Sequence, residues 1–365
     1  MAQQLDFLVG RRDLRQTQWR EQPLPETLQA GQVLLAVDAF ALTANNITYG
    51  VAGDSMNYWQ FFPVDEEWGR IPVWGFADVV ASEHPDVPVG ERLYGYYPMS
   101  SHLVIQADRV TGRQLMDVSA HRQGLASVYN QYQRVAADPG YLREAEDAQM
   151  LYRPLFTTSF LIDDFLADNG FFGAEKVVLT SASSKTSLGL AYLLHANRAD
   201  QVQVIGLTSA ANLAFVKGLG CYHHVLSYDE IDSLESQPTV IVDMAGNGEV
   251  LAAVHDHLDQ ALRYSCLVGA THWDARQGAR EMAGPAPELF FAPSHVEKRR
   301  NEWGGAGFES RLGEAWAGFS ASASGWITVA HGRGRDAVEK TYQLMLENRA
   351  SPDCGHVLSL REEQP

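Results

Sequence analysis

Val177-Val178-Leu179-Thr180-Ser181-Ala182-Ser183-Ser184-Lys185-Thr186-Ser187-Leu188-Gly189 joins an apolar run to a turn of small residues and then to a helix. The run starts at Lys176, and the helix is predicted over Leu188–Leu194. Strand, small-residue turn and helix in that order open a dinucleotide-binding unit. Where a G-x-x-G-x-x-G turn would carry glycines, this chain has Ser181, Ser184 and Ser187. Losing glycine restricts how closely backbone approaches a pyrophosphate. The helix start still offers free N–H groups and a positive dipole end. Serine hydroxyls add donors and Lys185 adds a charge, so the predicted cradle is Ser181, Ser183, Ser184, Lys185 and Thr186. A second reading of the same turn is purely structural: serine is a good N-cap, and the domain then binds no cofactor. A phosphate-binding G-x-x-x-x-G-K-[ST] loop would need glycines at Leu179 and Ser184, and no G-x-S-x-G elbow is present.

Downstream, strands at Gln203–Leu207, Thr239–Asp243 and Ser265–Ala270 alternate with helices at Ala210–Leu219 and Gly248–Leu262. That alternation predicts an α/β domain whose parallel sheet is covered on both faces. The end of the second strand sets the choice between NAD and NADP, because a carboxylate there bonds the ribose 2′-OH and repels a 2′-phosphate. Gly206-Leu207-Thr208-Ser209-Ala210-Ala211-Asn212 holds no acid. NADP is therefore expected, with Thr208, Ser209 and Asn212 among its contacts. Upstream, residues 31–110 read as short strands punctuated by glycine and proline, a barrel-like domain. Residues 115–150 read as polar and mostly helical, and a helix follows over Phe156–Ala167. Residues 280–320, rich in Gly, Pro and Trp, read as a less regular surface excursion with late helices. A helix over Asp336–Asn348 and a last apolar run, Gly355-His-Val-Leu-Ser-Leu, end the pattern.

The chain of 365 residues suits two domains. Its net charge of −17 would repel a nucleic-acid backbone, which excludes that class of partner. No apolar run reaches the roughly 18 residues of a membrane span. Met1-Ala-Gln-Gln-Leu-Asp has no charged and apolar leader pattern, so no secretory signal is expected. Cys221, Cys266 and Cys354 are too far apart for a C-x-x-C site, and a reducing cytoplasm is expected. His223-His224 and His255-x-His257 lack the i, i+4 spacing that brings two imidazoles to one helix face, so no metal site is read.

The order of parts resembles the medium-chain dehydrogenase/reductase superfamily, and within it a bacterial branch labelled only as a domain of unknown function that shares the Ser-Ala-Ser-Ser-Lys-Thr turn. The residues that carry the likeness are Gly31-Gln-Val-Leu-Leu-Ala-Val-Asp-Ala-Phe-Ala, Pro88-Val-Gly-Glu-Arg-Leu-Tyr-Gly, Thr180–Gly189, Val204–Cys221, Asp243-Met-Ala-Gly-Asn and Leu267-Val-Gly-Ala-Thr. The resemblance covers most of the chain outside about 112–150 and 280–320. It implies a GroES-like β-barrel domain plus a Rossmann doubly wound parallel sheet. It also implies a division into residues 1–150, 151–325 and 326–365, the last segment returning to the N-terminal domain. It adds Gly246 and Gly269 to the cofactor contacts and implies a homodimer. Zinc alcohol dehydrogenases of this superfamily carry ligands where this chain reads Thr43-Ala-Asn45-Asn46 and Gly75-Phe76-Ala77. None of these supplies a thiolate, imidazole or carboxylate, so the likeness is to zinc-independent members.

Hydride transfer without a metal needs a donor to polarise the substrate carbonyl and a proton for carbon. The resemblance puts Thr43–Tyr49 at the cleft, with Tyr49 as the donor and Asn46 orienting a carbonyl or the ribose. The structural alternative is that Asn45 and Asn46 build a turn and Tyr49 packs. Three functional readings remain open. The first is an NADP(H)-dependent, zinc-independent oxidoreductase that reduces an activated C=C, quinone or carbonyl of a small molecule. The second is a non-catalytic nucleotide-binding or relic protein. The third is a lyase or hydrolase on the same frame.

Overall fold

In the computed structural model the chain is described over residues 3–138, 141–268 and 282–361. It divides into two units, residues 1–151 with 328–365, and residues 152–327. The first unit opens with an antiparallel pair, β1 (Gln3–Gly10) and β2 (Thr17–Pro23). After β3 (Gln32–Leu42) comes helix α1 (Ala44–Val51). Six strands follow: β4 (Trp68–Gly69), β5 (Pro72–Ser82), β6 (Arg92–Pro98), β7 (His102–Asp108), β8 (Gln114–Asp117) and β9 (Gln131–Arg134). Hydrogen bonding runs β3-β5-β6-β9-β8-β7 and returns from β7 to β3, so six strands close into a barrel. Alternate residues of β3 (Val33, Leu35, Val37) fill its core with Ile105, Leu115 and Tyr132, as the two-residue side-chain period of a strand requires.

The barrel corrects the helical expectation for residues 115–150. Leu115 and Tyr132 are fully buried, and they carry β8 and β9 into the wall. Tyr132 fits because Gly95 opposes it: a Cβ there would meet the Tyr132 ring at 2.4 Å. The Tyr132 hydroxyl then donates to the Tyr96 carbonyl at 2.9 Å. Only closure of the barrel supplies these partners, so a local polar pattern does not reveal them.

Helix α2 (Glu146–Asp168) leads into the second unit. It starts ten residues before the predicted Phe156, with Glu146 and Asp147 in the first turn, where acidic side chains favour the helix dipole. Then come β10 (Lys176–Leu179), α3 (Lys185–Arg198), β11 (Gln203–Thr208), α4 (Leu213–Gly218), β12 (His224–Ser227) and β13 (Thr239–Asp243). The unit ends with α5 (Gly248–Leu258), β14 (Leu262–Leu267), β15 (Glu288–Leu289) and α6 (Ala292–Ala323). All five pairings are parallel, in the order β12-β11-β10-β13-β14-β15. This is a doubly wound Rossmann sheet, and its strand order reverses between β10 and β13. Every residue of β10 and β13 is buried, as expected for a sheet covered on both faces.

Residues 292–323 supply the late helices expected in that stretch, as one helix broken at Gly304 (φ 73°). Phe308, Leu312 and Phe319 are buried there, and Phe319 stacks on Phe156 of α2 at 4.6 Å. Three last elements return to the first unit: β16 (Thr328–Arg333), α7 (Gly334–Leu346) and β17 (Cys354–Ser359). Strand β17 pairs antiparallel with the end of β3, His356 opposite Leu42. Arg92 bonds Asp38, Asp78 and Glu146, and Arg361 bonds Asp38 and Asp78, so one charged cluster joins β3, β5, β6, the start of α2 and the chain end. No described helix is long and apolar enough to cross a membrane.

Candidate functional site

The turn between β10 and α3 lies at the carboxyl end of the sheet beside the order reversal, where such folds bind ligands. Helix α3 begins at Lys185, three residues before the predicted Leu188, because Ser184 caps it. The Ser184 hydroxyl accepts the Ser187 N–H at 3.3 Å and donates to the Ser187 hydroxyl. Buried Ser187 in turn donates to the Thr180 carbonyl at 3.0 Å. These two hydroxyls are spent on capping, the structural alternative for that part of the turn. Ser181 takes the left-handed conformation a glycine would take, with φ 48°.

The rest of the turn is tied down from the β11–β12 side. The Ser181 N–H donates to the Tyr228 hydroxyl at 3.0 Å, and the Tyr222 hydroxyl donates to the Ala182 carbonyl at 2.8 Å. Asn212 Nδ2 donates to the Ser183 hydroxyl at 3.0 Å. Tyr222 reaches Ala182 by lying over Gly206, where a Cβ would meet its ring at 2.9 Å. Sequence reading missed both tyrosines, since nothing local marks a residue that reaches back across two strands. Gly189 is required by packing: a Cβ would meet Ser159 Oγ of α2 at 2.7 Å, and that hydroxyl donates to the Thr186 carbonyl at 2.7 Å.

Across the order reversal, the Thr180 hydroxyl donates to buried Asp243 at 2.5 Å. The carboxylate also accepts the Ala245 N–H at 3.1 Å and the N–H of Gly246. Burial pushes the Asp243 carboxyl above the ordinary carboxylate range, against these hydrogen bonds. Gly246 turns with φ 62°. Thr208 is buried, whereas Ser209 and Asn212 are part-exposed at the end of β11. The structure thus brings Ser181, Ser183, Ser184, Lys185, Thr186, Asn212 and Gly246 to the carboxyl end of one sheet. Gly269 lies outside the described residues.

In the first unit, Asn46 and Tyr49 share α1 but differ in availability. Asn46 Oδ1 accepts from the Thr43 N–H (2.7 Å) and hydroxyl (3.0 Å), and Nδ2 donates to the Pro72 carbonyl (2.8 Å). Its amide oxygen is occupied in capping α1, and one of its two N–H donors fixes the helix to β5. Tyr49 enters an aromatic cluster with Tyr58 (4.6 Å between ring centres), Tyr96 (5.6 Å) and Tyr129 (6.4 Å). Trp74, Phe61 and Phe62 surround Tyr96. The Tyr49 hydroxyl faces the side chains of Asn45, Trp74 and Tyr129, and burial pushes its phenol far above the ordinary range. These phenols are protonated donors near neutral pH. Beneath them Arg122 pairs with Asp117 at 2.9 Å and lies over Phe62 at 4.7 Å. Among the described residues no group of three His, Cys, Asp or Glu side chains gathers as a metal site.

A closed barrel joined to a doubly wound sheet of this order is the fold of the medium-chain dehydrogenase/reductase superfamily. The chain belongs to the family described as protein of unknown function DUF2855, which it matches over residues 40–351. Its fold is similar to CurA from Vibrio vulnificus in complex with NADPH, with TM-score 0.64 and 13% identity over 98% of this chain and 100% of that one. It is also similar to the yhdH oxidoreductase from Salmonella enterica in complex with NADP (TM-score 0.53, 19% identity, 98% and 100% covered). A third likeness is to the mitochondrial 2-enoyl thioester reductase of Candida tropicalis (TM-score 0.58, 10% identity, 99% and 100% covered). No curated protein matches the sequence.

Proposed function

We propose that this protein is an NADP(H)-dependent, zinc-independent oxidoreductase acting on an activated C=C, quinone or carbonyl of a small molecule. The observation that carries the reading is the β10–α3 turn, set at the order reversal of the sheet, opposite a β11 end without a carboxylate. The residues present fit a dinucleotide. Ser181 holds the backbone in the glycine-like conformation, and the first turn of α3 directs N–H groups outward with Lys185 and Thr186 beside them. Ser209, Asn212 and the Ser183 hydroxyl offer neutral hydrogen-bonding groups at the β11 end, which tolerate a 2′-phosphate. Structures of similar fold from Vibrio vulnificus and Salmonella enterica hold NADPH and NADP, which supports the same cofactor here.

When bound, the nicotinamide supplies or accepts the hydride. The chain's own part is to hold the nucleotide through the turn and to polarise the substrate oxygen through the Tyr49 hydroxyl. Burial keeps that phenol protonated, so it donates a hydrogen bond and does not act as a base.

Fluorescence titration with NADPH and, separately, NADH tests the reading. NADPH is expected to bind in the micromolar range and at least about tenfold more tightly than NADH, one charge-assisted phosphate contact being worth about that factor. Lys185→Ala should weaken NADPH binding by a comparable factor. Absence of binding to either nucleotide sinks the proposal. It would favour a structural relic, a reading that draws on the capping roles of Ser184 and Ser187.

A further inference from the structure

We infer that the Tyr96 hydroxyl is a ligand-facing hydrogen-bond donor, held without a protein partner so that a substrate oxygen completes it. Tyr96 is 0% exposed, and its hydroxyl has no hydrogen-bond partner among the described residues. An unpaired buried phenol is costly, because the group has lost water and gained nothing. Aromatic rings surround its ring, with Trp74 (5.1 Å between ring centres) and Tyr129 (4.7 Å, 33°) tilted against it and Phe61 (5.5 Å) and Tyr49 (5.6 Å) near perpendicular. The other phenols of the cluster are not in the same position. Tyr49 faces Asn45, Trp74 and Tyr129, and the Tyr58 hydroxyl faces that of Tyr129.

The chemistry of the ligand follows from what is missing as well as what is present. Burial keeps the Tyr96 phenol protonated, so it calls for an acceptor oxygen. The nearby positive charge, Arg122, is already balanced by Asp117, so a carboxylate would enter without a countercharge and pay its desolvation in full. A neutral carbonyl oxygen on a planar, conjugated frame satisfies both the donor and the aromatic walls. Tyr129, the part-exposed ring over Tyr96, is the side chain an entering ligand displaces.

This inference rests on the oxidoreductase reading only for the chemical step, so binding and turnover are measured separately. The probes are menadione and trans-cinnamaldehyde, added to the full chain without nucleotide and followed by quenching of tryptophan fluorescence. Turnover is NADPH oxidation with the same compounds. Tyr96→Phe removes only the orphan oxygen. It is expected to raise Tm by about 2–4 °C while weakening probe binding about five- to tenfold. Tyr152→Phe is the control. Tyr152, in the second unit, also has a buried hydroxyl without a partner among the described residues, so this variant should raise Tm and leave probe binding unchanged. A lower Tm for Tyr96→Phe would mean the hydroxyl serves the fold, and unchanged probe binding would mean it meets no ligand; either overturns the inference. So does a wild-type protein that binds neither probe. Probe binding that depends on Tyr96, without any NADPH oxidation, would uphold the inference and refute the redox reading.

Discussion

At Ser181 the chain accepts a conformation its side chain disfavours. A left-handed non-glycine residue costs about 1–2 kcal/mol, part of which is offset because serine loses less entropy than glycine on folding. Ser181→Gly should therefore stabilise the protein by about 0.5–1 kcal/mol; chemical denaturation measures it, and a loss of stability would show that the hydroxyl has an essential partner. Tyr222→Phe deletes the bond to the Ala182 carbonyl and leaves the ring over Gly206. It should cost about 1 kcal/mol and loosen NADPH binding, because Ala182 precedes Ser183 in the same turn. The sequence shows the small-residue turn plainly, since strand, serines and helix are contiguous. It does not show Tyr222 or Tyr228, which lie some forty residues on and act only when β11 and β12 flank β10.

Among the elements, α3 and the pair β8 and β9 illustrate opposite cases. Helix α3 was legible because its apolar stripe and cap lie within it; its start moved by three residues only because Ser184 takes the N-cap position. Strands β8 and β9 were not legible. Gln114, Gln131, Gln133 and Arg134 are part-exposed, and the inward residues Leu115 and Tyr132 acquire meaning only against β6 and β7. The charged cluster on β3, β5 and β6 is an element-level clamp. Arg92 is mostly buried and holds three carboxylates. Arg92→Ala leaves Glu146 without its ion pair and Asp38 and Asp78 with Arg361 alone, and should cost about 3 kcal/mol, read as a shift in the denaturation midpoint. Arg92→Lys should recover only part of it, because a lysine cannot reproduce the forked contact with Glu146.

For the whole molecule, the titration of desolvated histidines, of which His255 is fully buried, sets how stability responds to pH. Burial lowers His102, His121, His223, His255 and His295 below the usual imidazole range. In the unfolded chain each regains a value near 6.5, so unfolding takes up protons between the folded values and that point. Stability is then full above about pH 6.5 and is lost as pH falls through the lowered values. Calorimetric Tm should rise from pH 5.5 to 7.5, and His255→Gln should flatten the slope. A Tm that falls over this range would contradict the desolvation of these rings. His255 is the sharpest case, fully buried with one nitrogen on Ser265 and the other on the Ala283 carbonyl.

The sequence by itself determined the α/β class, the barrel-plus-sheet order and the position of the β10–α3 turn. Those follow from side-chain periodicity and from turn chemistry within a dozen neighbouring residues. The tertiary structure alone decided which hydroxyls remain available. Ser184, Ser187 and Asn46 carry groups that can bind a ligand or the chain itself, and only the packed neighbours show that the chain has taken them. It also decided that the Tyr96 hydroxyl stands unpaired among the described residues. A hydrogen bond is a pairwise relation in space, so its presence or absence across a barrel cannot be read from one strand.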